Sequence, residues 1–194
     1  MSRRPEPKRL VFETHATSLD NEAGLASGHV DVDLSPLGER QALALGVRYS
    51  SNPPARVLTS DLQRAWRTAE LAFGGRVPIL RDARLRECDY GDLTRRPSAS
   101  LDLVRLAAID TPFTRGESYT QVTARVAASL EDLRGTWPGG WVLLIGHRAT
   151  HYALDHLLRG WPLAAAMAVP FVWQPGWEYE LDGCAGAHSP TRPG

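Results

Sequence analysis

The chain has 194 residues, 43% of them hydrophobic and 23% charged, which suffices to bury the core of one domain and excludes disorder for the bulk of it. Lys plus Arg and Asp plus Glu both number 22, so no net field recruits nucleic acid or an anionic membrane, and neither is expected as a partner. Cys88 and Cys184 are too few for a zinc cluster or a disulfide framework and fit a reducing compartment. The start, Met1 to Lys8, lacks an apolar run long enough for a signal peptide, so a cytoplasmic protein is expected. Lys8 is the one lysine, which makes any anion clamp a guanidinium clamp.

Arg9 to Glu13, compact and apolar, reads as a buried first strand. Ser35 caps a helix with Pro36 at its first position, and the helix runs to the Asn52-Pro53-Pro54 stop. Val57 to Thr59 is a second strand. Ser60-Asp61 then opens a helix with Leu62, Ala65, Trp66 and Ala69 on one face, ended by Gly74-Gly75. Val77 to Leu80 is a weaker strand. Arg81 to Pro97 is an irregular, Arg-rich connection of the kind that often carries function. Ser98 to Ala108 is a short helix, and Ser118 with Gln121 makes a capping box before Val122, Val126, Leu130 and Leu133. The Trp137 to Gly140 turn leads to Trp141 to Ile145, the clearest central strand. A helix through Leu154, Leu157 and Leu158 follows, then strands near Ala168 to Trp173 and Trp177 to Leu181, joined by a hairpin turn at Gln174-Pro175-Gly176. The ends, 1–8 and 182–194, are expected to be a flexible start and a disordered tail around a single domain, 9–181.

Alternating strands and helices imply a three-layer α/β/α sandwich with a mostly parallel sheet. Ligands of such sheets bind outside the carboxyl ends of the strands at a topological switch point. The residues just past the three best strands are Thr14-His15, Ser60 to Arg64 and Gly146-His147, which brings two histidines and an arginine to one rim.

Walker A, G-x-G-x-x-G and G-x-S-x-G patterns are absent, which sets aside P-loop, dinucleotide and serine-hydrolase chemistry. His147 and His151 stand at i, i+4, but Arg148-Ala149-Thr150 between them lacks the glutamate of H-E-x-x-H, so no metal and no cofactor is expected. What remains is an ordered set: His15 with Asn21 six residues on; Leu34-Ser35-x-x-Gly38; Ser60-Asp61-Leu62-x-Arg64-Ala65-x-x-Thr68; Leu85-x-Glu87-x-x-x-Gly91; Gly116-Glu117-Ser118; and Gly146-His147. From Arg9 to Leu181 this resembles the histidine phosphatase superfamily, the phosphoglycerate-mutase-like fold.

The resemblance implies a phosphorylated nucleophile at His15, a general acid at Glu87, and phosphate binding by Arg64 and His147; Asn21, Thr14 and Arg148, beside these in the sequence, are expected to complete the phosphate-binding set. It implies a small phosphorylated substrate and a metal-independent phosphomonoester hydrolase. A phosphoryl-ligand-binding member without activity and a phosphomutase are the alternatives. A mutase needs covering segments, and only Thr94 to Arg115 is available. One departure stands out. The family's Arg-His-Gly is here Thr14-His15-Ala16, so a phosphate-binding guanidinium is replaced by a hydroxyl, and Arg148, Arg84 or Arg86 would have to supply the charge. The leaving-group pocket is expected between Glu22 to Val32 and Thr94 to Arg115. Oligomeric state is not legible.

Overall fold

The computed structural model describes residues 7–182, so most of the expected flexible start and tail lies outside the described residues. Five strands form one sheet in the order β3-β2-β4-β1-β5. Strands β1 (Arg9–Thr14), β2 (Arg56–Thr59), β3 (Ile79–Arg81) and β4 (Trp141–Gly146) run parallel, and β5 (Trp177–Glu180) pairs antiparallel with β1.

Side chains alternate between the two faces as strand geometry requires. Leu10 and Phe12 of β1, Leu58 of β2 and Val142 and Leu144 of β4 belong to one buried cluster. That cluster also contains Val122, Val126 and Leu130 of α5 (Tyr119–Gly135) and Tyr152, Ala153 and Leu154 of α6 (Arg148–Arg159). Val11, Val57, Leu143 and Ile145 point the other way, onto Leu45 of α2 (Pro36–Arg48) and Ala65, Ala69 and Phe73 of α3 (Gln63–Phe73). Both faces of β4 are therefore covered, which is why all six of its residues are buried.

From β1 the chain crosses by α2 toward β2, whereas from β4 it crosses by α6 toward β5 on the far side. The connections thus part at the β1/β4 junction, opening a crevice above their carboxyl ends. Gly38 near the start of α2 explains why that position carries no side chain: a Cβ there would collide with the backbone carbonyl of Thr17, in the loop after His15. Helix α2 can approach the loop only as glycine.

Several expectations are corrected. No strand forms at Ala168 to Trp173. Helix α7 (Leu163–Ala168) ends at the first residue of that run and residues 169–176 carry no regular element, so the Gln174-Pro175-Gly176 hairpin does not exist. Short apolar runs do not separate buried helix from strand by periodicity alone. A short helix α1 (Leu19–Glu22) appears, capped reciprocally by Ser18 and Asn21. Helix α3 starts at Gln63 rather than Ser60, because Asp31 from a distant loop accepts the Gln63 N–H at 2.6 Å. The weak strand shifts to β3, and Ser98 to Ala108 becomes α4 (Ser98–Val104) followed by a 3-10 turn, Arg105–Ala108.

Candidate active site

The two histidines leave adjacent strands at the same level. Thr14 pairs with Gly146 in the β1/β4 ladder, and the His15 N–H continues it, donating to the Gly146 carbonyl at 2.9 Å. Their rings lie with centroids 5.0 Å apart. His15 Nδ1 is 2.7 Å from the Ala16 carbonyl. A carbonyl only accepts, so Nδ1 carries the proton and the lone pair is left on Nε2. Burial, then the Arg64 guanidinium, push the His15 pKa down to about 3, so the imidazole is neutral at physiological pH. His147, buried at the N-terminus of α6, is likewise held well below the usual histidine range by burial and Arg64. Neither of its ring nitrogens has a hydrogen-bond partner among the described residues.

Arg64 lies in the first turn of α3 and is 2% exposed. Two backbone carbonyls hold it, Gly28 on Nη2 at 2.8 Å and Val30 on Nη1 at 3.0 Å. Thr68, one turn on, donates its hydroxyl to the Arg64 carbonyl at 2.7 Å and accepts the Ala16 N–H at 3.0 Å. The arginine and threonine of the third motif therefore join α3 to the loop of His15.

Glu87 is 8% exposed. Its Oε1 accepts the Cys88 N–H at 2.8 Å and, at the N-terminus of α6, the Ala149 N–H at 3.2 Å. These fix the carboxyl against the sheet rim, so Glu87 is no surface partner of its arginine neighbours. Asn21 has two uses for one amide: Oδ1 caps α1 by accepting the Ser18 N–H at 3.0 Å, while its amide nitrogen has no partner among the described residues.

His15, Arg64, Glu87, His147, Asn21, Thr14 and Arg148 all line one cavity of about 270 Å³. The structure thus brings the whole expected set together. The expected leaving-group segments contribute Leu25, Ala26, Ser27 and Gly28 on one side and Ser98 and Leu101 on the other, with Tyr90 and Phe171 between. A larger cavity of about 510 Å³ adjoins it through Thr14, His15 and Asn21, but Arg64, Glu87 and His147 are not among its walls, so the chemistry belongs to the smaller one.

Of the three arginines offered as substitutes for the lost clamp, Arg148 alone reaches the cavity. Its Nε donates to the Tyr152 hydroxyl at 2.6 Å and its Nη1 to Asp102 at 3.1 Å. Arg84 is tied to Asp82 and Asp132, and Arg86 to Asp61, none of them at the cavity, which corrects the expectation for both. His151, four residues beyond His147, is packed among Phe12, Phe171 and Trp177. Among the described residues no group of three or more His, Cys, Asp or Glu side chains could hold a metal ion. No helix among them is long and apolar enough to cross a membrane.

The switch point of the sheet gathers two neutral histidines, a buried arginine and a docked carboxyl, and the fold is of the phosphoglycerate-mutase-like class. The comparisons agree. The profile of the histidine phosphatase superfamily (branch 1) matches residues 10–173, and the chain belongs to that superfamily. It is 34% identical over 166 residues to the probable phosphoglycerate mutase GpmB of Photorhabdus laumondii, covering 81% of this chain and 77% of the relative. It is 30% identical over 206 residues to the glucosyl-3-phosphoglycerate phosphatase of Mycolicibacterium vanbaalenii, covering 95% and 91%. Among solved structures, a mycobacterial glucosyl-3-phosphoglycerate phosphatase with VO3 superposes with a TM-score of 0.74 at 28% identity over 84% of this chain and 87% of that one. The alpha-ribazole phosphatase of Shigella flexneri does so with a TM-score of 0.72 at 27% identity over 82% and 83%.

Sequence reasoning passed over His29 and Arg125, which bond to the backbone of Glu87. The available signal was Arg125 itself, a charge interrupting the apolar face of α5 between Val122, Val126 and Ser129.

Proposed function

We propose that this protein is a metal-independent phosphomonoester hydrolase that works through a phosphohistidine at His15. The observation that carries the reading is the tautomer of His15: Nδ1–H bonded to the Ala16 carbonyl, with a free lone pair on Nε2 in a cavity that also holds Arg64, His147 and Glu87. Nε2 attacks phosphorus as the bond to the leaving oxygen breaks, and the Glu87 carboxyl gives that oxygen its proton. The Ala16 carbonyl stabilises the imidazolium that forms. Water then attacks phosphorus, its proton returns to Glu87, and the electrons of the P–N bond return to Nε2. Phosphoryl transfer is mostly positioning and charge stabilisation, for which Arg64, Arg148, His147 and the Asn21 amide supply donors without a metal.

Hydrolysis is favoured over transfer because Ser98 and Leu101 are the only residues of 94–115 that line the cavity, so that segment makes a sparse cover. Superfamily relatives carry both kinds of name, so product analysis decides: free phosphate is expected, and predominant isomer formation from phosphoglycerate would defeat the assignment. The direct test is His15→Ala with a labelled substrate. Wild type should give an acid-labile, base-stable adduct that the variant lacks, and full activity in the variant would end the idea.

A further inference from the structure

Glu87 sits in a stretch with little regular structure, between a single 3-10 turn at Ala83–Leu85 and another at Gly91–Leu93. Hydrogen bonds hold its backbone instead of a helix or a strand. Arg125 of α5 provides three of them. Its Nη1 donates to the carbonyls of Arg84 and Arg86, each at 2.7 Å, and its Nη2 to the carbonyl of Glu87 at 2.9 Å. The other two bonds go to Glu117, from Nε at 3.0 Å and Nη2 at 2.9 Å. A guanidinium has five N–H donors, and every one is engaged. Glu117 in turn accepts the Asp89 N–H at 3.0 Å, so both sides of the Glu87 segment meet one ion pair.

The Glu87 carbonyl has a second donor, His29 Nε2 at 2.8 Å. His29 stands between Gly28 and Val30, whose carbonyls hold the Arg64 guanidinium. A continuous path therefore runs from Arg64 through residues 28–30 and His29 to Glu87, and on to Arg125. The geometry points to Arg125 as a positioning residue that, with His29, holds the proton donor in register with the phosphate-binding arginine. This rests on the phosphatase reading above, and it adds to it the device that sets the distance between two groups borne on different elements.

A fixed register matters most for the step that Glu87 performs. An activated aryl leaving group departs without a proton, whereas an alkoxide needs one in the transition state. Loosening the segment should therefore affect alkyl esters selectively, whereas general loss of folding would affect both substrates alike. Arg125→Gln should lower kcat/KM, which reports the phosphorylation step, on glycerol 1-phosphate roughly 10- to 100-fold, a part of the roughly 100- to 10,000-fold that general acid catalysis supplies, and change kcat/KM on 4-nitrophenyl phosphate little. Arg125→Lys should not restore it, because an ammonium keeps the charge but not the planar fork. His29→Ala should act in the same direction, and His29→Gln, which keeps an N–H donor, should recover.

The decisive comparison is a double-mutant cycle. In a Glu87→Gln background, where no proton is left to position, Arg125→Gln should add no further loss on glycerol 1-phosphate. Equal losses on both substrates, or full additivity in the cycle, would overturn the positioning role while leaving the reading of Glu87 intact. Should Arg125→Gln fail to fold, the His29→Ala and His29→Gln pair in the same cycle reads the same path. Glu87→Gln without any leaving-group dependence would overturn the acid assignment, and the positioning role with it.

Discussion

Arg148→Ala is the most informative single change at the cavity, because the structure separates its catalytic cost from its cost in stability. If Arg148 supplies the charge that Thr14 lacks, the variant loses a charge-assisted hydrogen bond to the phosphoryl group, worth about 1.5–3 kcal/mol. That corresponds to a fall in kcat/KM of roughly 10- to 150-fold. Stability should hardly move. The ion pair with Asp102 joins side chains 32% and 44% exposed, and such pairs contribute at most about 1 kcal/mol. The Tyr152 hydroxyl keeps a second donor in Arg105, at 3.3 Å, so no buried oxygen is orphaned. In a domain of this size the melting temperature should drop by no more than about 4 °C. The assay is kcat/KM on 4-nitrophenyl phosphate and glycerol 1-phosphate, with inhibition by inorganic phosphate as a binding check and thermal melting alongside. Thr14→Arg completes the test: alone it should hinder, since it places a second guanidinium on the wall that Arg148 shares, and combined with Arg148→Ala it should restore activity. Unchanged kcat/KM in Arg148→Ala would refute the replacement of the clamp.

Glu87→Gln should lower kcat/KM on glycerol 1-phosphate by about 100-fold or more and on 4-nitrophenyl phosphate only slightly; equal losses in kcat/KM would make Glu87 a structural residue. Chelators should leave turnover unchanged, and strong inhibition by them would reopen metal chemistry. His15 is depressed to about 3 in the fold, so below its unfolded value near 6.5 the unfolded chain takes up a proton that the fold refuses, and stability falls as pH drops. Each pH unit in that window costs up to about 1.4 kcal/mol, and His15→Asn should flatten the curve measured by denaturant unfolding between pH 7 and pH 5; an unaltered curve would contradict the neutral, desolvated imidazole. Gly38→Ala should cost about 1–3 kcal/mol and lower activity, because the new methyl group collides with the Thr17 carbonyl in the loop after His15; a variant as stable and active as wild type would show that the close approach is not required.

The site was more legible than its supports. His15, Arg64 and His147 follow strand ends whose apolar runs are plain, and strand order converts those positions into one rim. Glu87 emerged from its motif spacing. Its neighbours explain that spacing: a Cβ on Gly116 would strike the Asp89 carbonyl and the Gly91 N–H, so the glycines of two motifs pack backbone to backbone. Arg125 and His29 escaped because they act on main-chain carbonyls far away in sequence, Arg125 on Arg84 and His29 on Glu87, where no local period exists to betray them. The run Ala168 to Trp173 misled for a different reason: a short apolar stretch suggests a strand, but Ala168 ends α7 and residues 169–173 take no regular structure, with Val169, Val172 and Trp173 exposed. Helix α1 went unread because four residues are too few for periodicity to register a helix.

The ladder that pairs Thr14 with Gly146 has one more consequence. Neighbouring strands stand about 4.7–4.9 Å apart, close to the 5.0 Å between the two histidine rings. The gauge of the two histidines is thus the weave of the sheet itself, which no loop can stretch. Insertions in 22–32 or 94–115 can recut the mouth of the cavity while its floor stays at the same pitch, so the mouth can vary without moving His15 against His147.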